Sequence, residues 1–171
     1  ATSSYKSDDS LINIAKKQNI YFFRGSSENV ISRIYGAAKK FKLDHIVRVT
    51  GDDILRDYEM IDHLIDKHLQ GSFDVTMSKK MPYGTSTEVM SIDVVETVYK
   101  KIKDAKNSEY LEYIIENDKY FNIKFVNSKY KFDPKIRLTL DYKEDFLLFK
   151  KILLHFKNQL PYLTLNEIIK Y

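Results

Sequence analysis

His45-Ile46-Val47-Arg48-Val49-Thr50-Gly51-Asp52-Asp53 is the stretch on which the fold turns. Residues 45–49 are apolar and β-branched enough for a strand, and Thr-Gly-Asp-Asp stops that strand abruptly. Helical patterns lie on both sides. Upstream, Val30, Ile31, Ile34, Ala37, Ala38 and Phe41 recur at helical spacing and predict an amphipathic helix over 27–41, entered from the turn Arg24-Gly25-Ser26-Ser27. Downstream, Met60, Ile61, Leu64, Ile65 and Leu69 predict a helix over 57–70 with those side chains inward and Gly71 just past its end.

The rhythm continues outward. Residues 8–17 read as a short helix, 20–23 and 73–77 as strands, and 87–91 as a strand leading into a helix at 92–104. Helix is expected over 108–117, strands over 121–126 and 135–140, and a helix over 142–156. Thr164-Leu165-Asn166-Glu167 is a capping box that opens a last short helix. Strands alternating with helices of this length specify an α/β domain with a largely parallel sheet. No linker is long enough to divide the chain, so 1–171 reads as a single domain.

Composition excludes several classes. Hydrophobic residues make up 43% and charged residues 30%, which suits a packed core and not a disordered chain. Without cysteine there is no disulfide framework and no thiolate metal site. No apolar run has the length of a membrane span, and no signal-peptide core is present, which points to a cytoplasmic protein. The net charge of +4 comes from scattered lysines, with no basic stripe of the kind that binds nucleic acid.

Ligands of open α/β sheets sit beyond the carboxyl ends of the strands. Two acidic clusters fall there: Asp52-Asp53 after the 45–49 strand, and Asp141 after Arg137-Leu138-Thr139-Leu140. Carboxylates from two strand ends suit a magnesium ion, which takes one or two protein carboxylates and fills the rest with water and phosphate. On spacing alone, Gly-Asp also reads as turn chemistry and Asp141 as a helix cap. Arg24-Gly25-Ser26 reads either as an anion site or as a plain capped turn. The four histidines show no metal-ligand spacing and read as packing or surface residues.

In combination, Arg24-Gly25-Ser26, then Val30-Ile31-Ser32-Arg33-Ile34-Tyr35 with Ala37-Ala38, then Ile46-Val47-Arg48-Val49-Thr50-Gly51-Asp52 resemble the cytidylyltransferase family. The resemblance is to the branch named for spore coat polysaccharide biosynthesis, related to the CMP-Kdo and CMP-sialic acid synthetases. Tyr83-Gly84 followed by Glu88-Val89 is similar to the family's D-G-x-x-x-E-V segment. Arg137-Leu138-Thr139-Leu140-Asp141-Tyr142-Lys143-Glu144-Asp145-Phe146 is similar to its R-L-T-x-D-x-x-x-D-F segment.

The resemblance implies a Rossmann-like nucleotide-diphospho-sugar transferase fold, a mostly parallel mixed sheet flanked by helices. It implies coupling of CTP to a sugar or sugar acid with release of pyrophosphate, in surface polysaccharide biosynthesis. Asp52 and Asp141 match its catalytic, Mg2+-binding aspartates; Arg48, Glu88 and Arg137 match substrate-side positions, and Arg24 joins them through its turn. Relatives often dimerise, and 78–90, which leaves the helix–strand rhythm, is the candidate arm of a homodimer. The chain departs from the family pattern at Ile54-Leu55, Tyr83 and Glu109-Tyr110. Nothing in it matches the family's first strand and cationic nucleotide loop, so the expectation is a chain that lacks both and exposes a sheet edge. A glycosyltransferase on the same scaffold is a second reading, weakened because Asp52 and Asp53 are adjacent and not in a D-x-D pair; a non-catalytic binding domain is a third.

Overall fold

The structure, a computed structural model, describes residues 1–101, 111, 115, 119–133 and 135–171. It divides into two units: Ala1–Ile46 with Met90–Phe121, and Val47–Val89 with Asn122–Tyr171.

In the first unit, β1 (Thr2–Ser3) pairs in parallel with β2 (Arg24–Gly25). A 3-10 turn at Lys6–Asp8 and helix α1 (Asp9–Lys17) connect them. Asp8 fastens the start of this unit: the hydroxyls of Thr2 and Ser3 donate to its Oδ2 at 2.6 and 2.7 Å, and the Ser3 amide at 3.0 Å. These bonds, led by the Thr2 hydroxyl, lower its pKa to about 2. The strand expected at 20–23 is absent. Ile20 N–H instead closes onto Ala15 C=O at 2.8 Å behind a left-handed Asn19, and strand pairing begins only at Arg24.

Helix α2 (Val30–Phe41) starts three residues later than its apolar pattern suggested. Its cap is Asn29, whose side chain accepts from the Ser32 amide at 2.8 Å, and not Ser27. It packs on α4 (Ile92–Lys101), where Tyr35 stacks on Tyr99 at 5.0 Å. Ile31, Ala38, Val94, Val95 and Val98 are buried. The helix expected over 108–117 lies outside the described residues except Leu111 and Ile115, both buried.

Strands β3 (His45–Arg48), β5 (Glu88–Ser91), β4 (Val75–Lys79) and β6 (Ile123–Asn127) form a four-stranded sheet in the order β3-β5-β4-β6. The unit boundaries fall within β3 and β5. β4 and β6 run parallel in the register Val75 to Ile123 through Lys79 to Asn127. β3 is an edge strand, and Val47 and Val49 are exposed.

In the second unit, helix α3 (Tyr58–Gln70) is capped by Asp57, whose Oδ1 accepts from the Glu59 and Met60 amides at 3.0 and 3.3 Å. Burial pushes the Asp57 carboxyl above its ordinary range. Its buried stripe is Met60, Leu64 and His68, whereas Leu69, expected inward, is exposed. His68 takes the inward place because Nδ1 lies 3.0 Å from Thr76 Oγ1 on β4, which satisfies the ring in the core. Gly71 closes α3 in extended backbone, not in the left-handed conformation of a C′ glycine. A Cβ there would stand 2.2 Å from the Phe73 ring, so any larger residue requires that side chain to move.

Residues 135–140, expected as a strand, make a single parallel bridge between Arg137 and Tyr83. Tyr83 N–H donates to Ile136 C=O and Leu138 N–H to Tyr83 C=O, after which the backbone leaves for the end of β3. Helices α5 (Lys143–His155) and α6 (Leu165–Lys170, with the Thr164–Glu167 capping box) complete the unit. Leu55, Leu138, Phe149, Ile152, Phe156, Leu163, Leu165 and Ile168 form its larger core. The architecture is α/β, a mixed sheet flanked by helices.

Candidate active site

Two segments of the second unit meet through their backbones. Leu140 N–H donates to Asp52 C=O at 2.9 Å. Asp52, at the end of β3, is thereby joined to the residue before Asp141, and both aspartates are exposed. The strand ends and the turn sequences explain this: Thr50-Gly51-Asp52 halts β3, and Leu138 and Thr139 are buried and fix the second segment from below.

Glycine at position 84 makes that second segment possible. It sits at φ +85°, and a Cβ would fall 2.6 Å from Leu138 C=O and 2.7 Å from Thr139 Cβ. The Tyr83-Gly84 turn therefore lies directly against Leu138-Thr139, two residues before Asp141. Segment 78–90 is closely tied within its own unit. Thr85 N–H reaches Pro82 C=O, Ser78 N–H reaches Thr87 C=O, and Thr87 N–H donates to Ser78 Oγ at 2.8 Å.

Each acidic pair divides its labour. Asp53 turns inward: its Oδ2 accepts from Thr50 Oγ1 and from Arg56 Nη2, both at 2.7 Å. Asp145 caps α5, its Oδ2 accepting the Asp141 and Tyr142 amides at 2.9 and 2.8 Å. Arg137 bridges to Asp145 Oδ1 at 2.7 Å through Nη1 and to Asp141 Oδ2 through Nη2. The guanidinium, then the two amides, hold the Asp145 carboxyl below the usual range, and the Asp145 hydrogen bond foremost raises Arg137. Asp52 and Asp141 remain as the outward carboxylates.

The other predicted site residues fall in two places. Arg48 Nη1 donates to Glu88 Oε1 at 2.5 Å, a pair whose glutamate is 4% exposed, so β3 and β5 are bridged beside the Asp52 turn. Arg24 lies in the first unit, where Nε, Nη1 and Nη2 donate to Ser3 C=O, Asp9 Oδ1 and Tyr5 C=O at 3.1, 2.7 and 2.7 Å. There it fastens the segment after β1. Glu109-Tyr110 lies outside the described residues. Arg56 carries no sequence motif: it is a lone arginine in a loop, and its partner Thr87 is remote in the chain. Opposite charges three apart around Ile54-Leu55 are the one local signal.

The donor set suits magnesium. Hard carboxylate oxygens on adjoining backbone match a cation that binds one or two protein carboxylates. Among the described residues no group of three or more acidic or histidine side chains forms a cage, so any such ion would complete its shell with water or phosphate.

The α/β architecture, a mixed sheet flanked by helices, is that of the Rossmann-like nucleotidyltransferase class. A family model described as Cytidylyltransferase matches residues 1–168, and the chain belongs to that family. It is 34% identical over 158 residues to the uncharacterised protein MJ1063 of Methanocaldococcus jannaschii, covering 91% of this chain and 65% of that protein. It is 30% identical over 149 residues to the spore coat polysaccharide biosynthesis protein SpsF of Bacillus subtilis, covering 85% of this chain and 62% of that one. A solved structure, a cytidylyltransferase from Leptospira borgpetersenii serovar Hardjo-bovis, superposes with a TM-score of 0.88 at 28% identity, over 98% of this chain and 72% of the other. The chain thus spans less than two thirds of the length of the two relatives matched by sequence.

Proposed function

We propose that the full-length protein transfers a cytidylyl group from CTP to a sugar or sugar acid, releasing pyrophosphate, in the biosynthesis of a surface polysaccharide. The observation that carries this reading is the backbone bond from Leu140 to Asp52, which places two exposed aspartates on adjoining backbone. In the reaction a sugar hydroxyl attacks the α-phosphorus of CTP in line and the bond to the pyrophosphate leaving group breaks. Catalysis of this kind rests on positioning and on neutralising charge, with little covalent work for the protein.

The residues take roles accordingly. Asp52 and Asp141 would hold Mg2+, which when bound neutralises negative charge on phosphate oxygens. Arg137 orients the Asp141 carboxylate and Asp145 fixes the backbone that carries it. Arg48 and Glu88 form a polar wall next to the Asp52 turn that suits sugar hydroxyls or a sugar carboxylate. CTP as substrate fits a cytoplasmic protein, and no described helix is long and apolar enough to cross a membrane. A homodimer remains part of the proposal through the family resemblance.

The test is pyrophosphate release by the full-length protein with CTP, magnesium and a panel of sugars and sugar acids. Release that depends on both CTP and one sugar class supports the reading. Silence across the panel, from a folded protein, overturns it in favour of a non-catalytic role.

A further inference from the structure

Arg56 links two segments that are remote in the chain. Its side chain is 9% exposed, and its fork reaches in two directions. Nη2 donates to Asp53 Oδ2 at 2.7 Å and lies 3.4 Å from Thr50 Oγ1, both in the loop that carries Asp52. Nη1 donates to Thr87 Oγ1 at 3.1 Å, in the residue before Glu88. Thr87 is itself immobilised, 2% exposed, with its amide and carbonyl on Ser78.

Two atoms of this network, Asp53 Oδ1 and Arg56 Nε, are buried and have no hydrogen-bond partner. A buried ion pair with unsatisfied atoms is a poor way to stabilise a loop, because apolar side chains of similar volume do as well or better. The arrangement instead has a geometric product. One rigid planar fork spans the Asp52 turn and the Glu88 strand start, which only arginine can do, since lysine offers a single point of attachment.

We infer that Arg56, with Asp53, is a positioning residue: it fixes the Asp52 turn against Thr87 and so sets the spacing between the Asp52 carboxylate and the Glu88–Arg48 pair. Its consequence for turnover rests on the cytidylyltransferase reading, but the clamp itself does not. Removing the clamp loosens a carboxylate that must be held in place for transition-state charge to be neutralised, so kcat suffers more than KM.

The experiment uses the full-length protein and three variants: Arg56→Lys, Arg56→Met, and the double change Asp53→Leu with Arg56→Met, which removes both charges together. Amide hydrogen exchange and thermal melting are measured on all of them, and steady-state kinetics wherever the parent releases pyrophosphate. The double variant is expected to melt no lower than the parent. In every variant the amides of residue 53 and Leu140, which donate to Thr50 C=O and Asp52 C=O, are expected to exchange at least about tenfold faster, as a released local brace allows. kcat is expected to fall about 10- to 100-fold with KM for CTP within about threefold. Unchanged protection at those two amides in the double variant overturns the inference whether or not the enzyme is active. So does a parent-like kcat in Arg56→Lys. A parent that releases no pyrophosphate counts against the cytidylyltransferase reading alone, because the exchange data still decide the clamp.

Discussion

The loop Thr50–Asp57 and the segment Arg137–Asp145 solve the same problem in different dielectric surroundings. Each holds one aspartate outward and commits a second to structure: Asp53 behind Asp52, Asp145 behind Asp141. Each places an arginine on that second carboxylate, and Arg137 also reaches Asp141. The first pair is largely buried, with side chains 9% and 13% exposed, and leaves two atoms unsatisfied. The second is more open, with Arg137 33% exposed, and Asp145 has two backbone amides as well as the guanidinium. What reads in the sequence as two acidic clusters is in the structure two presenters and two presented groups. The hydrogen-bond inventory of each carboxylate, not its place in a motif, tells them apart.

The sharpest way to break this comparison is Asp53→Asn. Neutralising one partner of the buried pair leaves Arg56 charged and uncompensated, and a loss of about 3 kcal/mol is expected in urea unfolding. A loss below about 1 kcal/mol would mean that the pair is effectively solvated and the contrast between the loops false.

Gly84→Ala comes next. It places a Cβ against Leu138 C=O at a positive φ, and a loss of about 2 kcal/mol is expected from strain and displacement of the second segment. A thermal melt and the amide shift of Leu140, the donor to Asp52, report both effects. An unmoved Leu140 would detach the Tyr83-Gly84 turn from the site.

Arg137→Lys should disturb the open segment less than Arg56→Lys disturbs the buried one, because the Asp145 carboxylate keeps its two amide donors. If Arg137 also meets an anionic group of the sugar, the lysine variant weakens sugar binding more than nucleotide binding. Equal losses for both substrates in steady-state kinetics would confine Arg137 to orienting Asp141.

The smallest effect lies in the first unit. Asp8 has a folded pKa of about 2 against an ordinary 3.8, so its contribution is complete above the ordinary value and disappears as the pH falls from about 4 through about 2. The Ser3 amide shift should titrate with a midpoint near 2. A midpoint near 4 would show that the Thr2 and Ser3 bonds do not persist in solution.

Much of this was legible beforehand, and the failures have physical reasons. Helix α3, α5 and the Thr164 box follow from local spacing and capping, which a sequence carries within a turn or two. Residues 20–23 and 135–140 have strand composition, but their pairing stops at one bond, Thr2 N–H to Phe23 C=O, and at one bridge, Arg137 to Tyr83, and a strand is decided by pairing that local sequence does not encode. His68 displaced Leu69 from the core because Thr76 satisfies its ring, a tertiary fact. At the site, Asp52 and Asp141 could be named from strand ends and family resemblance. Arg56 could not, since its role exists only once Thr87 is brought beside it.

The central claim is that the outward aspartates carry the chemistry and the inward ones only present them. It is tested most directly by pyrophosphate release from the full-length protein in three variants measured side by side: Asp52→Asn, Asp141→Asn and Asp145→Asn. The account predicts that the first two lose at least about 100-fold in kcat while folding normally, and that the third stays within about fivefold of the parent. Asp52→Asn with parent-like turnover, or Asp145→Asn as impaired as Asp52→Asn, would contradict it.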